Sequence, residues 1–383
     1  MKDFKKNKIK ICHFVNRITA KEDGVFRHIY AQLKYLDCEM YEQFVVFHGD
    51  FFVEKIFREN NIKYYSLPVL NKKYSIRIFF YLTKIIISEN VDVINAHLLK
   101  PYIIAGLINL FLRKKLIFSY HGSFIENDYN TKIEKLIYKI IHQFVNRFND
   151  VKVLVPSKKS KNILINETKL FTQIDFYYNG YLPIYSNGNI NNFLIEELNH
   201  LKEKYFIIGY AGRLNREKNV EQIIKILYEL RNHNVFLVII GDGEERLRLQ
   251  RLSSSLSMKN VKFYGFIPDA IHYIKLFDLL ILTSKREGMP IVIWEAMFNE
   301  VPIISTDAGG IKEIIEENNC GFIFNHNNYK EAVSKIILLM NDETLCKKLG
   351  ENGKKAVIQK YNLNNFKNYF EKYYCNLINE GQH

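Results

Sequence analysis

The stretch SKREGMPIVIWEAMFNEVPIIST, Ser284 to Thr306, reads as a strand end, a loop, a helix and a second strand. Its helix is apolar through Ile291, Val292, Ile293, Trp294, Ala296, Met297 and Phe298, yet Glu295 stands in the middle and Glu287 precedes it. Pro290 suits a first helical turn, where its missing N–H would have no intrahelical partner in any case. An unpaired carboxylate inside such a helix is costly or is forced neutral, so Glu295 requires a partner. A vicinal diol such as a ribose would supply two hydroxyl donors; a backbone amide or an arginine is the purely structural alternative.

Working outward, short apolar runs alternate with amphipathic ones along the whole chain. The strand-like runs are KIKICHFV, YEQFVVFHG, VDVINAH, KLIFSYHG and VKVLVPS, then YFIIGYAG, VFLVIIGDG, VKFYGF, LLILTS, VPIIST and GFIF. Between them lie helical patterns such as GVFRHIYAQLKYL and TKIEKLIYKIIHQFVNRF. That alternation predicts parallel sheets with crossover helices, an α/β class. The turn-rich segment YYNGYLPIYSNGNINNFLIEELNH, Tyr177 to His200, carries no buried strand and predicts a linker between two doubly wound units. With 383 residues, two cores are expected. The boundaries we read are 1–185 together with a closing aromatic-rich helix at about 363–383, and 186–362.

The net charge of +13 is concentrated in one half. Residues 1–190 hold 29 Lys/Arg against 17 Asp/Glu, and residues 191–383 hold 25 against 24. Such an excess suits a surface facing something anionic, or simply a lysine-rich solvated face. Five cysteines show neither paired nor metal-ligand spacing, and no leader precedes KIKICHFV, so a reduced cytoplasmic protein is expected. The longest apolar run, YIIAGLINLFL, is about half a membrane span.

In open parallel sheets ligands gather at the carboxyl ends of strands. There the second half places Gly212, Arg213, Gly241, Asp242, Gly243, Ser284 and Glu287, and the first half His97, His121 and Gly122. Arg213 and Lys218 flank the loop GRLNREKN, which runs into a helix N-terminus; two cations beside free N–H groups suit a diphosphate, though they are also what a solvated surface carries. GDGEERLRL is not a dinucleotide fingerprint, because Arg246 stands where a third glycine belongs. With no Asp-x-Asp at a strand end and no evident His/Cys/Asp cluster, no metal or cofactor is expected.

Taken together, GRLNREKN, VIIGDGEERLRL, VKFYGFI, REGMPIVIWEAM and VPIISTDAGGIKEII resemble the retaining, nucleotide-sugar-dependent glycosyltransferase family 4, in the order and spacing of that family. The resemblance is strong over residues 205–325 and looser elsewhere. It implies the GT-B arrangement, two Rossmann-like doubly wound domains facing across a cleft, with the C-terminal helix packing back on the first. The first domain would serve the acceptor and the second the nucleotide-sugar donor.

The resemblance also distributes roles. Glu287 and Glu295 form the E-x7-E pair, the first contacting the donor sugar and the second the ribose. Arg213 and Lys218 neutralise the diphosphate, and Gly212, Gly241, Gly243, Gly288, Met289 and Pro290 complete the donor site. His121 in FSYHGS matches the histidine that reaches the donor sugar, and His97 lies at a similar strand end. The family carries a Gly-Gly loop after its first strand where AKEDGVFRHIY has Asp23 and Gly24. Implied, then, is a hexosyl transfer from a nucleoside diphosphate sugar, UDP-linked, to a glycan or lipid-linked acceptor of surface polysaccharide assembly. His121, Glu287, Arg213 and Lys218 would be its catalytic residues, and the protein would be cytoplasmic or peripheral on the inner face of an anionic membrane. An epimerase or a sugar phosphorylase on the same scaffold is the rival enzyme. A basic nucleic-acid-binding protein is the rival outside enzymology, and no recognised motif supports it.

Overall fold

The computed structural model of the chain describes residues 8–18, 23–71, 76–122, 132–168, 173–182 and 190–380. The chain divides into two compact units, residues 1–182 with 364–383, and residues 183–363. Unit 1 runs β1 (Ile9–Ile18), α1 (Gly24–Tyr35), β2 (Tyr41–Gly49), α2 (Phe51–Glu59), β3 (Tyr64–Ser66), α3 (Arg77–Ser88), β4 (Val93–His97), α4 (Leu99–Leu112), β5 (Lys115–Ser119), α5 (Lys132–Phe148), β6 (Val151–Val155), α6 (Lys158–Thr168) and β7 (Ile174–Phe176). Its seven strands are all parallel, in the order β3-β2-β1-β4-β5-β6-β7.

Unit 2 runs α7 (Asn192–Lys202), β8 (Phe206–Ala211), α8 (Val220–Glu229), β9 (Val235–Ile240), α9 (Arg246–Ser255), β10 (Val261–Gly265), α10 (Ile271–Ile274), β11 (Leu279–Leu282), α11 (Ile291–Phe298), β12 (Ile303–Thr306), α12 (Ile311–Asn318), β13 (Gly321–Phe324), α13 (Tyr329–Asn341) and α14 (Glu343–Gln359). Its six strands are also parallel, ordered β10-β9-β8-β11-β12-β13. α15 (Leu363–Asn379) belongs to unit 1 for nearly its whole length. The α/β class with two Rossmann-like sheets is therefore what the chain adopts.

The central strands owe their place to sequence. β9, VFLVII, is buried at every position, as a strand covered by helices on both faces must be. In unit 1 the two sheet faces differ in chemistry. Cys12 and Phe14 of β1, Phe44 and Val46 of β2, Ile94 and Ala96 of β4 and Leu116 and Phe118 of β5 pack into one apolar core with α3, α4 and α5. Successive side chains alternate between faces. The opposite face therefore takes His13, Gln43, Asn95, His97 and Ser119, and there α1 and α15 cover them.

This second face is polar yet closed. Ser119 Oγ donates to Asn95 Oδ1 (2.7 Å), Asn95 Nδ2 donates to the Tyr374 hydroxyl (3.0 Å), and that hydroxyl donates to Gln32 Oε1 (2.7 Å). Buried polar groups satisfied in a chain of this kind hold one arrangement, because breaking any link leaves an unpaired group in the interior. The chain ties α15 to α1 and β4. Tyr41 adds a bond to the Glu371 carbonyl at 2.7 Å.

Two strands were not read from the sequence, β3 and β7. Each is three residues long and lies at a sheet edge, where hydrogen bonding on one side alone leaves no apolar run to read. The five cysteines are unpaired. Among the described residues, no helix is long and apolar enough to cross a membrane.

Candidate active site

In unit 2, four loops meet beyond the carboxyl ends of β8, β9, β11 and β12. The loop after β8 is held from inside: the buried Tyr210 hydroxyl donates to the Arg213 carbonyl at 2.8 Å. Burial, with the Glu287 carboxylate nearby, pushes that hydroxyl well above its ordinary range, so it stays a donor. Asn215 Oδ1 accepts from the Lys218 backbone N–H at 3.0 Å, and Thr283 Oγ1, at the end of β11, donates to the Asn219 carbonyl at 2.9 Å. Lys218 is thus fixed by its own loop and by the neighbouring strand end.

Its ammonium donates to Glu287 Oε1 at 2.5 Å, and Ser284 Oγ donates to the same oxygen at 2.6 Å. The Glu287 side chain is nearly buried and that of Lys218 about a quarter exposed. The loop carrying Glu287 is closed from below by a glycine. Gly310 N–H donates to the Gly288 carbonyl at 3.1 Å, and a Cβ on Gly309, whose φ is +58°, would lie 2.2 Å from the Glu287 carbonyl oxygen. Only glycine permits that approach. The loops after β8 and β9 touch in the same way, since a Cβ on Gly241 would lie 1.8 Å from the Gly212 carbonyl oxygen.

Of the two expected cations, only Lys218 has a carboxylate. Arg213 is exposed, and its guanidinium has no partner among the described residues. Gly243 opens the turn before α9, its N–H donating to Asp242 Oδ1 at 2.8 Å, while Arg246 pairs with the other oxygen at 2.7 Å. Gly288 and Met289 are buried, and Pro290 is the N-cap of α11, whose first N–H groups receive no side-chain cap. Glu295, fifth in α11, is 6% exposed. A surface pocket of about 340 Å³ next to this loop is lined by Arg216, Glu221, Glu245 and Arg248 and does not include Arg213, Lys218 or Glu287. Its Arg248 is already paired with Glu221 and Glu245 at 2.7 and 2.6 Å, so it offers no spare positive charge.

In unit 1, the sequence reading overlooked a cluster. Four histidines from β1, α1, the end of β4 and the loop after β5 converge: His97 and His121 stack with ring centroids 5.1 Å apart, His13 and His97 at 5.3 Å, and His28 meets His121 edge-on at 5.0 Å. Burial holds all four in the neutral form, lowering His13 to about 4 and His121 to about 3, with His28 and His97 also well below the usual value. The expectation of no histidine cluster is corrected here: His28, His97 and His121 each bring a ring nitrogen within 4.8 Å of the others. A metal held there would have to displace existing bonds. Gln32 Nε2 lies 2.7 Å from His28 Nε2, and His97 Nδ1 lies 2.8 Å from His121 Nε2.

Asp23, expected with Gly24 to bind the donor, has a local task as well. It is the N-cap of α1, its carboxylate accepting from the Val25 N–H at 2.8 Å, with Gly24 as first helical residue. Residues 20–22 of the same loop lie outside the described residues, as does Ser123 after His121. Thr283, Ser284, Tyr210 and Gly309 support the site although none was assigned a role. Ser284 alone had a signal, as a hydroxyl at a strand end.

Comparison with known proteins places these features. Residues 193–356 match the family described as glycosyl transferases group 1, and residues 23–181 match glycosyltransferase family 4. The chain belongs to the family 4 glycosyltransferases and has the GT-B fold. The N-acetyl-alpha-D-glucosaminyl L-malate synthase of Bacillus anthracis is 24% identical over 315 residues, 77% of each chain. A Campylobacter jejuni enzyme, GalNAc-alpha-(1->4)-GalNAc-alpha-(1->3)-diNAcBac-PP-undecaprenol alpha-1,4-N-acetyl-D-galactosaminyltransferase, is 31% identical over 156 residues, 40% of this chain and 43% of its own. In structure the chain resembles Anabaena HepE in complex with UDP and glucose, with a TM-score of 0.79 at 19% identity over 96% of this chain and 100% of that one.

Proposed function

We propose that the enzyme moves a hexosyl unit from a UDP-sugar to an acceptor hydroxyl with retention at the anomeric carbon. The C1–O bond to the diphosphate breaks, the acceptor oxygen forms its bond to C1 on the same face, and the acceptor proton passes to the departing phosphate oxygen. The observation that carries this reading is the Lys218–Glu287–Ser284 constellation at the β11 strand end, beside the exposed Arg213. Glu287 pairs with Lys218. When a donor arrives, the ammonium and Arg213 meet the diphosphate, and Glu287 turns to the sugar hydroxyls. Charge grows on the leaving group, so fixed cations beside it stabilise the transition state more than the bound donor. The uncapped N-terminus of α11 adds N–H donors of the right sign, and Glu295 accepts the ribose hydroxyls.

A panel of nucleotide sugars, screened by thermal shift and by hydrolysis, tests the reading, since a ligand bound by the native state raises the melting temperature. The anomeric configuration of the transferred sugar, read by NMR, tests retention. No shift and no hydrolysis with any UDP-sugar would remove the UDP assignment, and an inverted product would remove the same-face mechanism.

The acceptor is proposed to be lipid-linked and presented at an anionic membrane, as the name of the Campylobacter relative suggests for that enzyme. Supporting this, α3, α4 and α5 expose Phe80 (73%), Phe111 (88%) and Phe148 (62%) on the side away from the apolar core. Among the described side chains these helices carry Arg77, Lys84, Lys100 and Arg147 and no acid. Apolar rings among cations suit headgroups and acyl boundary together. Vesicles containing anionic lipid should bind the protein and release it as salt rises; equal binding to neutral vesicles, or none to either, counts against the membrane and favours a soluble acceptor.

A further inference from the structure

The histidines of unit 1 form a chain whose direction can be read from its fixed end. Gln43 Nε2 donates to the Gln32 backbone carbonyl at 2.9 Å, and a carbonyl only accepts, so the amide orientation of Gln43 follows. Its Oε1, 3.1 Å from His13 Nε2, therefore accepts, and His13 carries its proton on Nε2. A neutral imidazole has one donor and one acceptor nitrogen. His13 Nδ1 must then accept from His97 Nε2, 3.1 Å away, and His97 Nδ1 from His121 Nε2, at 2.8 Å. The last acceptor is His121 Nδ1, which has no hydrogen-bond partner among the described residues, on a side chain that is partly exposed where His13 and His97 are fully buried.

We propose that Gln43, His13 and His97 are positioning residues that lock His121 in its Nε2–H tautomer, so that it meets the substrate with a lone pair at Nδ1 and takes a sugar hydroxyl. A phosphate oxygen or a carbonyl would face that lone pair with its own and be turned away. Burial supports the lock from another side, because it keeps each ring neutral and a protonated ring would have no acceptor to offer. His28 stands apart from the chain: Gln32 Oε1 accepts from Tyr374, so Gln32 Nε2 donates to His28 Nε2 and His28 carries its proton on Nδ1. The role assigned to His121 rests on the glycosyl-transfer reading; the tautomers do not.

The test uses the full chain with 15N-labelled histidine at pH 7.5, where ring-nitrogen shifts and couplings report the tautomer. The expected result is Nε2–H for His13, His97 and His121 and Nδ1–H for His28. An Nδ1–H form at His121 in the wild type overturns the lock outright, whether or not any variant folds. Gln43→Met removes the terminal acceptor and should leave His121 in a mixture of tautomers. With UDP-glucose, or whichever panel donor the wild type hydrolyses fastest, its KM should rise about tenfold while kcat stays within about twofold, the pattern of a lost binding contact. Gln43→Glu, protonated because it faces the Gln32 carbonyl, donates there through its hydroxyl and accepts from His13 through its carbonyl oxygen, and should restore both tautomer and KM. A shifted tautomer with unchanged KM would overturn the positioning role and leave glycosyl transfer standing. No hydrolysis by the wild type would instead remove the glycosyl-transfer reading and with it the substrate role of His121, while the spectra still decide the lock.

Discussion

In unit 1 four histidines gather on one face of the sheet, three of them buried, and all four are held neutral, whereas in unit 2 a lysine and a glutamate meet at a strand end in an ion pair. Both units have parallel sheets of the same kind, so the difference is one of solvation. The unit 1 cluster is covered by α1 and α15, with Phe366 and Phe370 edge-on against His28. In so apolar a setting an imidazolium would be costly, and neutral donor–acceptor chains are what can be afforded. The unit 2 pair keeps one partly exposed member, and a third group, Ser284, donates to the same carboxylate oxygen. A site of neutral hydrogen bonds recognises hydroxyls; a site of fixed charges recognises anions.

The largest effect that would break this comparison comes from acid. A histidine whose folded pKa is depressed below about 6.5 favours the native state above that pH. As pH falls the unfolded chain binds protons first, and stability drains away until the folded value is reached, about 4 for His13 and about 3 for His121. Each such group withdraws roughly 2 kcal/mol between pH 6.5 and pH 5. The lowered carboxylates of unit 2, Glu221 and Asp242, hold their contribution through that window and lose it only as pH falls through the carboxylate range. Hydrogen exchange should therefore show β1 and β4 losing protection at least tenfold more than β8 and β9 between pH 7 and pH 5. Equal loss in both sheets would mean the histidines are not held neutral.

Next in size is the charged site itself. Lys218→Met should lower donor turnover about a hundredfold, because it removes a charge at the leaving group and leaves Glu287 with Ser284 alone. Arg213→Met should cost about tenfold, since an exposed cation acts across more solvent. Turnover at the wild-type level in both variants would sink the proposed clamp, and with it the contrast between the two units.

How far could the sequence lead to this? The sheets were legible because their central strands are apolar throughout, as in VFLVII and VINAH, and such runs have no other home. Lys218 and Glu287 were legible as separate strand-end residues. Their bond to each other was not, because 69 residues separate them and only the β8–β11 pairing brings the two strand ends side by side. His121 and His97 could be found at strand ends, whereas His13 and His28 could not. His13 sits inside a strand that reads as core, and His28 inside an amphipathic helix; the side that each presents becomes visible only when the sheet and α1 are packed. Gly309 carried no signal in the sequence; its role shows only in the Glu287 carbonyl oxygen that lies where its Cβ would be.

A smaller effect sharpens the ligand side of the comparison. Glu295→Gln keeps shape and one acceptor oxygen but removes the charge, so affinity for UDP should fall by roughly 1.5–3 kcal/mol. Calorimetry with UDP isolates this residue, because that ligand has a ribose and no sugar; Glu287→Gln should leave UDP affinity near wild type and lower turnover instead. Unchanged UDP binding by Glu295→Gln would make its carboxylate structural.

The smallest effect concerns Asp23, the one acid where the family carries glycine. Its carboxylate caps α1 through the Val25 N–H and so already fills the positive end of that helix. Asp23→Gly restores the Gly-Gly sequence. It should cost only a few tenths of a kcal/mol in stability, since glycine is itself a tolerated N-cap. With the carboxylate gone, the helix N-terminus is open to an anion and a like charge no longer opposes one. If the donor diphosphate passes near this loop, affinity for UDP should rise about twofold, more at low salt than at high, as screening requires. If UDP binds the variant and the wild type equally at both salt concentrations, the cap is a local device of α1, and unit 1 meets its ligand through neutral groups alone.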